Sequence, residues 1–171
     1  MTARVPAVLL AGLSACSMLL ACALPDGESP VTAPADPGIA RAAVAKGYGG
    51  QAVADPDLAR DEVRCYIAYI EVAASIAGEA QEAAADLIAQ AQFTLYAAYV
   101  VERATGKDDA QALASVRGLR ADNREEVGRL ARSPATANPL LRRCDSRRTA
   151  RLVAIKPFTI PPLKDATTDR I

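Results

Sequence analysis

The stretch Asp57–Thr105 reads DLARDEVRCYIAYIEVAASIAGEAQEAAADLIAQAQFTLYAAYVVERAT, and its reading decides the fold. Almost every residue is a strong helix former, Gly78 is the only glycine, and no proline interrupts the run. Val63, Cys65, Ile67, Ile70, Ala73, Ala74 and Ala77 recur at spacings of three and four. Ala80, Ala84, Leu87, Ile88, Ala91, Leu95 and Ala98 repeat the pattern. A single helix of that length would run about 70 Å at about 1.5 Å per residue, far longer than a small domain can bury. A turn at Gly78-Glu79 removes the conflict and makes the stretch an αα-hairpin. Gly106 then closes the second helix as the residue just past its cap.

The flanks supply the remaining punctuation. Asp55-Pro56 is a helix start, since Asp caps and Pro is tolerated at the first helical position. Asp57, Asp61 and Glu62 add negative charge at the positive end of the helix dipole. Asp108 or Asp109 caps a third helix, DAQALASVRGLR, with Leu113, Val116 and Leu119 inward. Asp122-Asn123 offers a turn or a fresh cap, and REEVGRLAR runs on to Ser133-Pro134. Asn138-Pro139 opens a short last helix, PLLRRCDSRR, with Leu140, Leu141 and Cys144 inward. Beyond Ala150 the chain reads RLVAIKPFTIPPLKDATTDRI, whose three prolines and Val/Ile alternation predict an extended tail.

Composition agrees with close-packed helices. Hydrophobic residues make up 51% of the 171, but aromatics only 4%, so the core is alanine, leucine, isoleucine and valine around five tyrosines. With 20 basic and 20 acidic residues the formal net charge is zero, and no global field points to nucleic acid. There is no histidine, the commonest neutral-pH base and metal ligand. Nucleophile–histidine pairs and histidine zinc sites are thereby excluded, leaving carboxylate, lysine or tyrosine chemistry; no metal or cofactor is expected.

Residues 1–23, MTARVPAVLLAGLSACSMLLACA, place one arginine before a run without charge from Val5 to Leu24. This is the basic, apolar and small-residue order of a secretory signal, although an uncleaved anchor of about 20 residues is the competing reading. The segment resembles the signal of bacterial lipoprotein precursors, whose lipobox ends in an acylated cysteine. Leu13-Ser14-Ala15-Cys16 matches that pattern residue for residue; Leu19-Leu20-Ala21-Cys22 departs at its second position. Cys22 is nevertheless the expected site, because a polar, proline-rich stretch, ALPDGESPVTAPADPG, follows it at once, whereas Cys16 is followed by more apolar sequence. The resemblance implies a lipid anchor, and Ala23 after the cysteine implies passage to the outer membrane. Ordinary cleavage after Ala21-Cys22-Ala23, giving a soluble periplasmic or secreted protein, stays open beside it.

Acylation at Cys22 leaves Cys65 and Cys144, an even pair suited to an oxidising compartment, whereas acylation at Cys16 leaves an odd thiol. Both cysteines lie on apolar helix faces and are expected to join; two buried free thiols are the alternative. The expected organisation is a signal peptide at 1–21, a flexible tether at 22–55 with a transient helix over 39–46, a helical domain at 56–146, and an extended or disordered tail at 147–171. The fold class is all-α: a three-to-four-helix bundle on the hairpin. The domain is loosely similar to small exported bacterial helical proteins with one cysteine in the first helix and another near the end of the last, a likeness that brings no activity.

Three sets of residues are candidates for contact with a ligand. Tyr66/Tyr69 and Tyr96/Tyr99 form the same i, i+3 pair on both arms of the hairpin, away from its turn, as an aromatic pocket or as core wedges with hydroxyls at the rim. Glu71 is a buried acid or a rim partner of a neighbouring arginine. Arg142, Arg143, Arg147, Arg148 and Arg151 crowd one segment, either a surface for anionic groups or the solvated end of a helix. These residues suit an envelope interaction module, tethered to the membrane and binding an envelope protein or a cell-wall component rather than nucleic acid. A soluble exported small-ligand carrier, or an enzyme using carboxylates and tyrosines, is the alternative.

Overall fold

The computed structural model describes residues 36–158. Among these there are six α-helices and no strand: α1 Pro37–Tyr48, α2 Leu58–Ile76, α3 Gln81–Ala104, α4 Asp109–Ala131, α5 Pro134–Ser146 and α6 Arg148–Ile155. The all-α class and the hairpin are as the periodicity predicts. α2 and α3 are joined by the turn containing Gly78 and Glu79 and pack along their length. The end of the hairpin away from the turn is the core: residues 94–104 of α3 are all buried, whereas in the first half of α3 only Ala84 and Ala91 are. α4 and α5 lie against α2, and α6 packs against α3 and α1.

Local chemistry sets each boundary. Gly106 takes φ 96°, the left-handed conformation that glycine adopts without strain, and donates its N–H to the Arg103 carbonyl. Asp108 and Gln111 form a reciprocal capping box at the head of α4, with Asp108 accepting from the Gln111 N–H at 2.8 Å and Gln111 accepting from the Asp108 N–H at 3.0 Å. Asp108→Ala is expected to lower stability by about 1 kcal/mol, read as a shift in urea midpoint. α2 begins at Leu58, slightly after the expected start, because Asp55 closes a turn on the Asp57 N–H at 2.9 Å instead of capping the helix.

Four expectations are corrected. The tether does not extend to residue 55, and its helix is not transient. Asp36 caps α1 by accepting from the Gly38 N–H at 2.7 Å, Pro37 occupies the first turn, and Ala40, Ala43 and Val44 are buried. Tertiary burial, invisible in a glycine- and proline-rich composition, orders this helix. α4 does not break at Asp122-Asn123. Asn123 donates to the Leu119 carbonyl at 2.7 Å and accepts from Arg64 at 3.2 Å, so its side chain serves inside the helix rather than as a cap. α5 starts at Pro134, with Pro139 inside it; Pro134 presets the first turn, and only the hydrogen bond that Pro139 cannot donate is lost. The chain from 147 to 155 is helix, not extended tail: Arg151, Ala154 and Ile155 turn inward on α6, and Pro157 lies past its end. The signal segment, the remainder of the expected tether and residues 159–171 lie outside the described residues.

Candidate functional site: the stapled junction of α2, α5 and α6

One face of α2 presents Asp61, Glu62, Cys65 and Tyr69 at helical spacing. The last two helices supply its counterparts. Cys65 and Cys144 form a disulfide with Cα atoms 5.5 Å apart, closing a loop between residues separated by 79 positions. Next to it, Arg143 and Arg147 both donate to Asp61 Oδ2, at 2.9 and 2.5 Å. On the other side of the bridge, the Tyr69 hydroxyl donates to Asp145 Oδ1 at 2.6 Å.

The deepest member is an ion pair. Arg151 Nε donates to Glu62 Oε2 at 2.6 Å, both side chains are 0% exposed, and Arg151 Nη2 also reaches the Cys144 carbonyl at 3.2 Å. Glu62 Oε1, Arg151 Nη1 and the buried Tyr48 hydroxyl have no hydrogen-bond partner among the described residues. Tyr48 stands beside Glu62, and the carboxylate acts on its phenol through its charge and through their side-chain interaction. Burial pushes the Glu62 carboxyl above its ordinary range against the pull of Arg151. Burial tends to lower Arg151, but Glu62 outweighs it and keeps the guanidinium charged. A carboxylate aimed at an arginine in this way is not a free general base; the pair is built to hold helices together.

The arginine segment is therefore divided. Arg143, Arg147 and Arg151, four residues apart, pair with the acids of α2, Arg143 from an exposed position, while Arg142 and Arg148 are exposed. The tyrosines are all buried: Tyr66, Tyr69, Tyr96 and Tyr99 are at most 7% exposed. Tyr96 stacks obliquely on Tyr99, with ring centres 5.8 Å apart, and meets Phe158 edge-on at 6.5 Å. The Tyr99 hydroxyl donates to Asp109 at the head of α4, so the two tyrosine pairs serve different junctions. Glu71 is a rim residue, 3.8 Å from Arg132 at the C-cap of α4. Cys16 and Cys22 lie outside the described residues.

Tyr48 and Asp145 were not singled out as site residues by sequence reasoning, and Asp61 and Glu62 were read only as charges at the start of a helix. The legible signal was the spacing of Arg143, Arg147 and Arg151 by four, which predicts one helical stripe in search of acids. Among the described residues no group of three or more acidic, cysteine or histidine side chains is placed to hold a metal ion, and no helix is long and apolar enough to cross a membrane.

The tyrosines make stability sensitive to alkali. Burial raises the phenols of Tyr48, Tyr69 and Tyr99 above their ordinary range, helped by Glu62, Asp145 and Asp109 respectively, and pushes Tyr96 up to about 12. Below the unfolded tyrosine pKa of about 10 their contribution is complete; as pH rises toward the folded values the unfolded state ionises first and the contribution is lost. Tyrosinate absorbance is expected to rise together with loss of helical circular dichroism between about pH 10 and 12, rather than ahead of it.

Fold and site together define a disulfide-stapled, all-helical domain. Comparison of the chain with protein-family models, with curated proteins and with solved structures gives no match.

Proposed function

We propose that this protein is an exported interaction module, tethered to the bacterial envelope through an acylated Cys22 and binding an envelope protein or a cell-wall component. The observation that carries the reading is the buried Cys65–Cys144 disulfide, a linkage that persists in oxidising compartments outside the cytosol. The lipobox-like sequence at Leu19-Leu20-Ala21-Cys22 and the proline-rich stretch after it support the anchor. The internal commitments of the polar groups favour binding over catalysis: Glu62 faces Arg151, and the four hairpin tyrosines are buried in the core. Contact with a partner then falls to exposed side chains, of which Arg142 and Arg148 flank the staple.

The N-terminal mass of the protein isolated from its own membranes tests the address. A diacylglyceryl-Cys22 is expected; a free Leu24 terminus means soluble export, and an intact Met1 overturns processing altogether. Arg142→Glu combined with Arg148→Glu tests the binding surface. A partner cross-linked to the wild-type protein in envelope preparations is expected to be lost, with helical content and melting temperature unchanged. Retention of the partner by the double variant excludes this surface.

A further inference from the structure

We infer that α1 and α6 form a two-helix flap that opens as a unit, and that its closure is what seals the Glu62–Arg151 pair from water. The staple defines the boundary. The loop closed by Cys65–Cys144 contains most of α2 and α5 and all of α3 and α4, whereas α1 and α6 lie wholly outside it. Nothing covalent holds either one to the hairpin except its chain connection.

The two helices are coupled at one close approach. A Cβ added to Gly47 would stand 2.4 Å from the Ala150 carbonyl oxygen and 2.8 Å from Ala154, so the backbone of α1 rests directly on α6. α1 packs chiefly on α6 and α3, and its side-chain tie to α3 is Arg41 donating to the Ala104 carbonyl at 3.3 Å. Lifting one helix without the other would break this contact, whereas lifting both preserves it.

Closure is weakly favoured by apolar burial and opposed by desolvation. The buried residues are Ala40, Ala43 and Val44 on α1, and Arg151, Ala154 and Ile155 on α6, half of them alanine, with Tyr48 and Phe158 partly buried beside them. Stabilisation scales with apolar area, so such a set holds its helices less firmly than leucine or phenylalanine would. Against it stands the burial of a charge pair and of three polar atoms without hydrogen-bond partners, on Tyr48, Glu62 and Arg151. Opening hydrates all of them. Sub-global opening is drawn from segments with this balance, and α1, the helix nearest the N-terminal segment, is placed to couple it to events at that end of the chain.

Native-state hydrogen exchange on the full disulfide-bonded chain tests the flap. Amides of α1 and α6 are expected to exchange at one shared opening rate, at least about tenfold faster than buried amides of α3, without reduction of the disulfide. Gly47→Ala forces the helices apart and is expected to accelerate exchange in α6 by the same factor as in α1. Tyr48→Phe removes an unpartnered buried hydroxyl and is expected to slow both helices by several-fold. Equal protection of α1, α6 and α3 overturns the inference, as does a response to Tyr48→Phe confined to one helix or opposite in sign. Should Gly47→Ala fail to fold, the wild-type rates and Tyr48→Phe decide alone.

Discussion

Arg151→Ala is expected to destabilise the domain by about 3–5 kcal/mol, the cost of leaving a buried carboxylate without its partner. Glu62 and Arg151 are both fully buried and joined at 2.6 Å, so removing the guanidinium leaves Glu62 neither hydrated nor paired. It also deprives the Cys144 carbonyl of its bond from Arg151. Against a total stability of about 5–15 kcal/mol for a small domain, this loss is a large fraction of the whole. The companion variant carries the opposite expectation. Glu62→Leu combined with Arg151→Met replaces the pair by apolar side chains and is expected to recover most of the loss, since buried ion pairs seldom outperform well-packed hydrophobic residues. Urea unfolding of both singles and the double gives the coupling. A single-variant cost under about 1 kcal/mol would mean that the pair is hydrated in solution, contrary to its burial here.

Removing the staple is expected to cost about as much by a different route. Closing a loop between residues 79 positions apart removes conformational entropy from the unfolded chain worth about 4.5 kcal/mol in the chain-entropy model. Cys65→Ala with Cys144→Ala is therefore expected to lower the urea midpoint substantially. Non-reducing electrophoresis of the wild-type protein should show a faster band than reducing electrophoresis, and Cys65→Ser should abolish the difference. The two perturbations differ in their signature. Loss of the bridge acts mostly on the unfolded state and should leave native ion pairs intact, whereas Arg151→Ala acts on the native state at the α2–α6 contact. A bridge-free protein with unchanged stability would remove the disulfide as a source of the fold's strength.

The hairpin was legible because its evidence is local. Apolar residues at helical spacing on both sides of Gly78, and a chain too long for one helix, leave few arrangements. The disulfide was legible by cysteine parity and by the inward phase of Cys65 and Cys144. Gly106 and Asp108 were legible because glycine past a helix end and aspartate at a helix start do the same job in any context. The errors share a cause as well. Asn123, Pro139 and the stretch 39–46 carry signals of breaking or disorder that hold only for an isolated chain. Asn123 is overruled by Arg64 from another helix, and α1 by burial of Ala40 and Val44 against its neighbours.

By itself, then, the sequence determined the helical class, the hairpin at its centre, the helix end at Gly106, the cap at Asp108 and the cysteine pair, all of which follow from periodicity and residue chemistry within a few turns of chain. Only the tertiary structure decided which arginines face inward, that the tyrosines are core rather than pocket, and that α1 and α6 join the bundle. Glu62 and Arg151 are 89 residues apart. A charge so distant from its partner looks in sequence like any solvated charge, and only the docking of α6 on α1 and α3, which carries Arg151 to Glu62, excludes the water that would otherwise make it one.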